Sequence, residues 1–127
     1  MMDWTPYIGI PFAWHGRELT GVDCYGLLIL VYETLGIQLP DYEYGDGPNL
    51  APLFTHGLAL PGWQRQQAPA EFSAVLFSIC GYPLHCGIMV DGTRFLHSRM
   101  GINSCIQRVN GLAWRNRVLG FYRYAAA

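Results

Sequence analysis

One stretch of the chain carries a sustained helical period, and nearly everything apolar that follows it in the second half runs at a period of two. The helical stretch is "GVDCYGLLILVYETLG", Gly21 to Gly36. Asp23 fits an N-cap and Gly36 a C′ stop, so a helix is expected from Cys24 to Leu35. Leu27, Leu28, Val31 and Leu35 give it one apolar stripe. Further on, "SAVLFSI", "CGIMV", "TRFLHS", "NSCIQRV" and "RVLGFYRY" read as short strands. Gly81-Tyr82-Pro83 and Asp91-Gly92 are turn signals between them. The segment before the helix, Asp3 to Thr20, is loop-rich, with Pro6, Gly9, Pro11 and Gly16. The connection from Asp41 to Pro69 is rich in Pro, Gly and Gln and holds at most one short helix, Ala51 to Leu58. A helix first and an antiparallel sheet second is the α+β pattern.

The 127 residues suit one domain, 1–127, with a real hydrophobic core. Apolar residues make up 51% and charged ones only 13%, so much of the surface must be Gly, Gln, Tyr and Trp. A surface of that kind leans on partners. A net charge of −1 gives no electrostatic reason to expect nucleic acid. Arg115, Arg117 and Arg123 are interleaved with Trp and Tyr and read as surface decoration. "MMDWTPYIGIPF" lacks the positive start and long apolar run of a secretory signal. The longest apolar stretch, Tyr25 to Tyr32, is far short of a membrane span, so no membrane insertion is expected. Synthesis in the cytoplasm follows as an expectation. Trp63, Trp114, Tyr42 and Tyr44 are candidate rim or interface aromatics, with core packing the better reading for Trp114.

Cys24 stands where a helix begins. Unpaired N–H groups and a partial positive charge there favour a thiolate, the form in which cysteine is a nucleophile. A small buried hydrophobe that happens to open a helix is the plainer reading. The other cysteines, Cys80, Cys86 and Cys105, show no CxxC spacing and read as small buried hydrophobes; a Cys80–Cys86 bridge is the alternative, against the reducing compartment. Of four histidines, His56 lies in the loop-rich middle and reads as surface, and His15 lies in the N-terminal loop. His85 and His97 are twelve residues apart with Asp91-Gly92 between them.

Hairpin geometry decides whether those two meet. A two-residue Asp91-Gly92 loop would put them on opposite faces. A three-residue loop of Val90, Asp91 and a left-handed Gly92 would pair Met89 with Thr93 and set His85 directly across from His97. A Cys–His–His relay requires one shared face, so the three-residue loop is expected. His85 would then take the Cys24 proton, and a neutral His97 would orient His85. Two hydrogen-bonded strand-end histidines are an alternative. So is a metal site of His85, His97 and Cys24 or Cys86, although the usual paired-ligand spacing is missing. No cofactor and no metal is expected.

At these residues the chain resembles the NlpC/P60 family of cell-wall cysteine peptidases, which has a papain-like fold. "YIGIPFAWHG" is similar to the family's N-terminal motif YxGxPYxWGG. "GVDCYGLLILVYETLGIQLP" is similar to its nucleophile helix, FDCSGLVxxxYxxxGxxLP. "HCGIMVDGTRFLHS" is similar to its HVGIYxGxGxFIHA hairpin, and "RVLGFYR" to its closing strand. The resemblance implies an α+β fold with the nucleophile helix packed on a central antiparallel sheet. It implies Cys24 as nucleophile, His85 as base and His97 as orienting residue, with Phe12, Trp14, His15, Asp23 and Tyr25 as substrate-binding positions. Backbone N–H groups at the helix start would stabilise an oxyanion. The implied substrate is the stem peptide of peptidoglycan, commonly cut between γ-D-glutamate and a diamino acid.

The departures from the family pattern are local. Phe12 replaces a common Tyr whose hydroxyl lies near the nucleophile. His15 stands in the Gly-Gly of the N-terminal motif, and Tyr25 replaces the Ser after the nucleophile. "APAEFSAVLF" replaces the Pro-Gly-Asp before the first core strand. "VDCYGLL…LGIQLPDY" looks more like the versions found in tailed phages and related particles. That implies tail-tip proteins as partners and a site of action at a virion tail or in the cell wall. The same likeness accommodates a tail assembly protein with little activity, or a thiol amidase toxin.

Overall fold

The computed structural model describes residues 2–41, 62–79 and 82–125. The helix expected over 51–58, His56, Tyr42, Tyr44 and Cys80 lie outside the described residues. A short 3₁₀ turn at Thr5–Tyr7 precedes a small antiparallel ribbon, β1 (Arg17–Glu18) and β2 (Gly21–Val22). The helix α1 (Cys24–Glu33) follows directly. The remaining strands are β3 (Trp63–Gln66), β4 (Ala74–Ile79), β5 (Tyr82–Met89), β6 (Arg94–Arg99), β7 (Ile102–Arg108) and β8 (Val118–Tyr124). They form one antiparallel sheet in the order β3-β8-β4-β5-β6-β7. The α+β arrangement is the one expected from the change of period.

The helix starts as expected. Asp23 has extended backbone, and its carboxylate accepts from the Gly26 N–H at 2.8 Å. The far end stops two residues early. Thr34, Leu35 and Gly36 donate to Val31, Tyr32 and Glu33, so the last turn tightens into i−3 bonds before Gly36 turns at φ 74°. The single apolar stripe gives way to burial almost all round, because the helix lies inside the domain: Tyr25, Leu27, Leu28, Ile29, Val31 and Tyr32 are all buried, and Leu35 is only partly so. Each large apolar side chain enclosed in this way contributes about 1.5–3 kcal/mol relative to exposure.

Two clusters divide the core. On the helix side, Ala74, Leu76, Cys86, Ile88, Val90 and Leu96 pack with α1. On the outer side, Val75, Phe77, Met89 and Phe95 pack with Val109 and Trp114. The N-terminal segment is tied across β7 by Ser104, whose hydroxyl accepts from Ile10 N at 2.8 Å and donates to Tyr7 O at 2.6 Å. The strand β3 was not expected, since its four residues sit at the end of the Pro/Gly/Gln-rich connection. Its Trp63 is no rim aromatic. It is buried against Tyr32 and Tyr124 with centroids 6.1 and 5.2 Å away. Phe72, in the segment replacing the Pro-Gly-Asp turn, sits at φ 72°.

The β5–β6 hairpin corrects the expected register. Ile88 pairs with Leu96 and Met89 with Phe95, and Val90 N donates to Arg94 O at 2.9 Å. The loop has three residues, but they are Asp91, Gly92 and Thr93. Gly92 is not left-handed. The cause is the Asp91 side chain, whose Oδ1 accepts from the N–H groups of Thr93 and Arg94 at 2.9 and 2.8 Å and draws Thr93 into the turn. Moving the loop by one residue shifts the pairing by two and leaves facing unchanged. His85 and His97 therefore share a face diagonally, not directly across from each other.

Candidate active site

The two imidazoles meet on the outer side of the sheet. His85 Nε2 and His97 Nδ1 are 2.8 Å apart, and both residues are buried. His97 Nε2 lies 2.6 Å from Gln107 Oε1, and Trp114 Nε1 lies 3.0 Å from the same oxygen. An indole nitrogen only donates, so the Gln107 atom must be the accepting oxygen. His97 Nε2 then carries its proton and donates to Gln107. That leaves His97 Nδ1 as an acceptor, so His85 donates through Nε2. The order of donors ends at His85 Nδ1, which is left with a free lone pair. One donor-only group thus fixes the tautomer of two histidines.

The surroundings keep both rings neutral. Burial is the main cause holding the His85 pKa well below its ordinary value, followed by the neighbouring His97 and by Arg99. Burial also lowers His97, to about 4, against the Gln107 bond and with Arg99 adding to the fall. Aromatic rings wall the pair in: Phe77 and Trp114 stack on His85 with centroids 5.8 and 5.6 Å away. Trp114 is a core residue, as its sequence context suggested, and also a hydrogen-bond donor to the chain. Gln107 was missed. Its signal was a polar residue on the strand face that also carries Cys105, whose Sγ is 3.8 Å from His97 Nε2.

Cys24 is the first residue of α1 and is 5% exposed. It packs in the helix-side cluster, where its sulfur touches Cys86. Burial first, and then this Cys24 neighbour, push the Cys86 thiol well up. Consecutive strand side chains alternate, so His85 points away from the side on which Cys86 meets Cys24. Among the described residues no hydrogen bond joins Cys24 to His85, and no group of three His, Cys, Asp or Glu side chains has the disposition of a metal site.

The five positions named as substrate-binding separate into two groups. Asp23 is buried and saturated: Oδ1 takes the Gly26 N–H and Arg17 Nη1 at 3.0 Å, and Oδ2 takes the His15 N–H at 3.0 Å. Arg17 reaches on to Asp41 at 3.0 Å, so one guanidinium ties the helix start to the segment that follows the helix. Tyr25 is buried, and its hydroxyl donates to Pro40 O at 2.7 Å. Phe12 and Trp14 are half-buried and meet edge to face at 5.0 Å. His15 is exposed at φ 62°, a conformation that suits the glycine it replaces. Of the five, Phe12, Trp14 and His15 are the ones that keep surface exposure.

Among the described residues no helix is long and apolar enough to cross a membrane. No curated protein matches the chain. Solved structures that share its fold include three described as NLP/P60 or NlpC/P60 proteins. A Staphylococcus aureus subsp. aureus Mu50 protein described as similar to lipoprotein, NLP/P60 family, is 24% identical with a TM-score of 0.64, over 95% of this chain and 38% of that one. The NlpC/p60 domain of the peptidoglycan hydrolase SagA is 19% identical with a TM-score of 0.64, over 95% and 92%. An NlpC/P60 family protein from Bacillus cereus ATCC 10987 is 19% identical with a TM-score of 0.68, over 94% and 37%. This chain spans little more than a third of the S. aureus and B. cereus chains. The family model described as NlpC/P60 family matches residues 9–123, and the chain belongs to that family.

Proposed function

We propose that the chain is a cysteine endopeptidase that cuts peptidoglycan stem peptides. Members of its family are generally cysteine peptidases acting on peptidoglycan, and the SagA domain that shares its fold comes from a peptidoglycan hydrolase. The observation that carries the reading is the polarised chain Trp114–Gln107–His97–His85, which ends in an unprotonated Nδ1. A general base needs a free lone pair held in one orientation, and this chain supplies one. In the proposed reaction His85 Nδ1 takes the Cys24 proton. The sulfur attacks the scissile carbonyl, N–H groups at the start of α1 hold the oxyanion, and the proton passes to the leaving amine. Water then hydrolyses the acyl-enzyme. The bond is the one from γ-D-glutamate to the diamino acid, and the place of action is a phage tail or phage-derived particle working on the cell wall.

That chemistry requires sulfur and imidazole to come together, whereas in the structure His85 points away from the side of β5 on which Cys24 packs. The separation of Cys24 from His85, together with Phe12 where a hydroxyl is usual, supports a second reading: a tail assembly protein that keeps the fold with little activity. Mass spectrometry of peptidoglycan digested with the wild type and with C24A separates the two. New stem-peptide fragments that vanish with C24A support the endopeptidase. Intact stems at high protein concentration, from both Gram-positive and Gram-negative walls, contradict it and leave the assembly role.

A further inference from the structure

The last acidic residue of the sequence is Asp91; the residues after it hold six arginines and no Asp or Glu. Two of these, Arg99 and Arg117, line a cavity of about 260 Å³ on the outer side of the sheet. Ile79, Ala113, Trp114 and Gln107 complete the lining. Gln107 is the residue that ends the histidine chain, so the cavity abuts the proposed base system from the side away from Cys24. Arg99 lies over the Trp114 ring at 5.5 Å, and Arg117 Nε donates to Ala113 O at 3.1 Å. Neither guanidinium is in an ion pair among the described residues.

We propose that this cavity is a carboxylate-binding subsite, in which Arg99 and Arg117 hold the terminal carboxylate of a peptide whose carbon chain lies against Trp114, Ile79 and Ala113. Two guanidiniums of fixed sign in one cavity, with their acidic counterparts elsewhere in the sequence, call for an anion. The apolar part of the lining selects an organic anion over an inorganic one, since a bare oxyanion would leave Ile79 and Ala113 in water. The charge of Arg99 already bears on both imidazoles and on Cys105. A carboxylate placed against it would therefore report its presence to the histidine chain. That the natural ligand is a stem peptide rests on the endopeptidase reading; the binding itself does not.

The test uses the full chain carrying C24A, so that binding is read apart from hydrolysis. Acetyl-alanine, acetyl-alanine amide and inorganic phosphate are titrated while the ¹⁵N-labelled indole N–H of Trp114 is followed by NMR. Acetyl-alanine is expected to shift that resonance to saturation, with the amide and phosphate at least about tenfold weaker. R99Q and R117Q, each checked for an unchanged thermal melt and referenced to its own Trp114 resonance before addition, are expected to weaken acetyl-alanine about tenfold. Equal binding of the amide would overturn the proposal, as would phosphate binding as tightly as the acid. So would arginine variants that bind like the parent. Should one variant fail to fold, the other, with the acid and amide pair, decides.

Discussion

Gly87 lies beneath His97: a Cβ built on the glycine would come 3.3 Å from His97 Cβ and 2.9 Å from Leu96 O. The backbone oxygen cannot swing aside as the tip of a long side chain could. Alanine in a strand ordinarily gains about 0.5–1 kcal/mol over glycine. Here the crowding costs about 1–3 kcal/mol and outweighs that gain. G87A is therefore expected to lower stability by about 1–2 kcal/mol in urea unfolding, with the His97 ring resonances displaced.

Stability should fall as the solution is acidified below neutrality. Both buried histidines have depressed pKa values, His97 to about 4. Such a group binds its proton in the unfolded chain first, near the unfolded value of ~6.5. The stability contributed by the neutral rings is complete above that pH and is lost as pH falls toward 4. His97 alone is worth on the order of 3 kcal/mol across this window. Thermal melts between pH 7.5 and 4.5 measure the slope, and H97Q should flatten it.

Gln107 is expected to act on the base without touching the reacting atoms. Q107L leaves the Trp114 and His97 N–H groups without their acceptor, at a cost of about 2–4 kcal/mol for two buried donors. Q107E keeps an acceptor, adds a negative charge beside His97 and should raise the His97 pKa. If muropeptide cleavage is measured, kcat should fall for Q107L, and the acid limb of the Q107E profile should move. A purely structural Gln107 would leave that limb in place.

How much of this was legible in the sequence depended on whether the signal was local. Asp23, the helix start and the strands from β4 onward follow from capping chemistry and period, and these came through. The facing of His85 and His97 also came through, because parity survives a slip of two. The exact loop did not, since Asp91 can accept from either of two turn geometries and only the folded hairpin chooses. The four residues of β3 have no room to display a period, and only pairing with β8 makes them a strand. Gln107 and Trp114 are seven residues apart across an irregular loop, and their shared hydrogen bond has no sequence signature. The relation of Cys24 to His85 is tertiary throughout: one opens α1 and the other lies within β5, and their side-chain directions are set by packing on either side of that strand.

Asp23 should prove structural before it proves catalytic. Its carboxylate serves the Gly26 and His15 N–H groups and Arg17 together. D23A removes an N-cap and one partner of a buried ion pair, for about 2–4 kcal/mol in all. D23N keeps the neutral acceptor and should recover about half of that loss. Circular dichroism during thermal unfolding of both variants checks the order.

The claim on which the rest stands is the direction of the protons between the rings, and ¹⁵N chemical shifts of the imidazole nitrogens at pH 7 read it directly. The expected spectrum has both His85 and His97 neutral, each protonated at Nε2 and bare at Nδ1. A proton found on His85 Nδ1, or on His97 Nδ1, would contradict the account, because the base would then have no lone pair to offer a thiol.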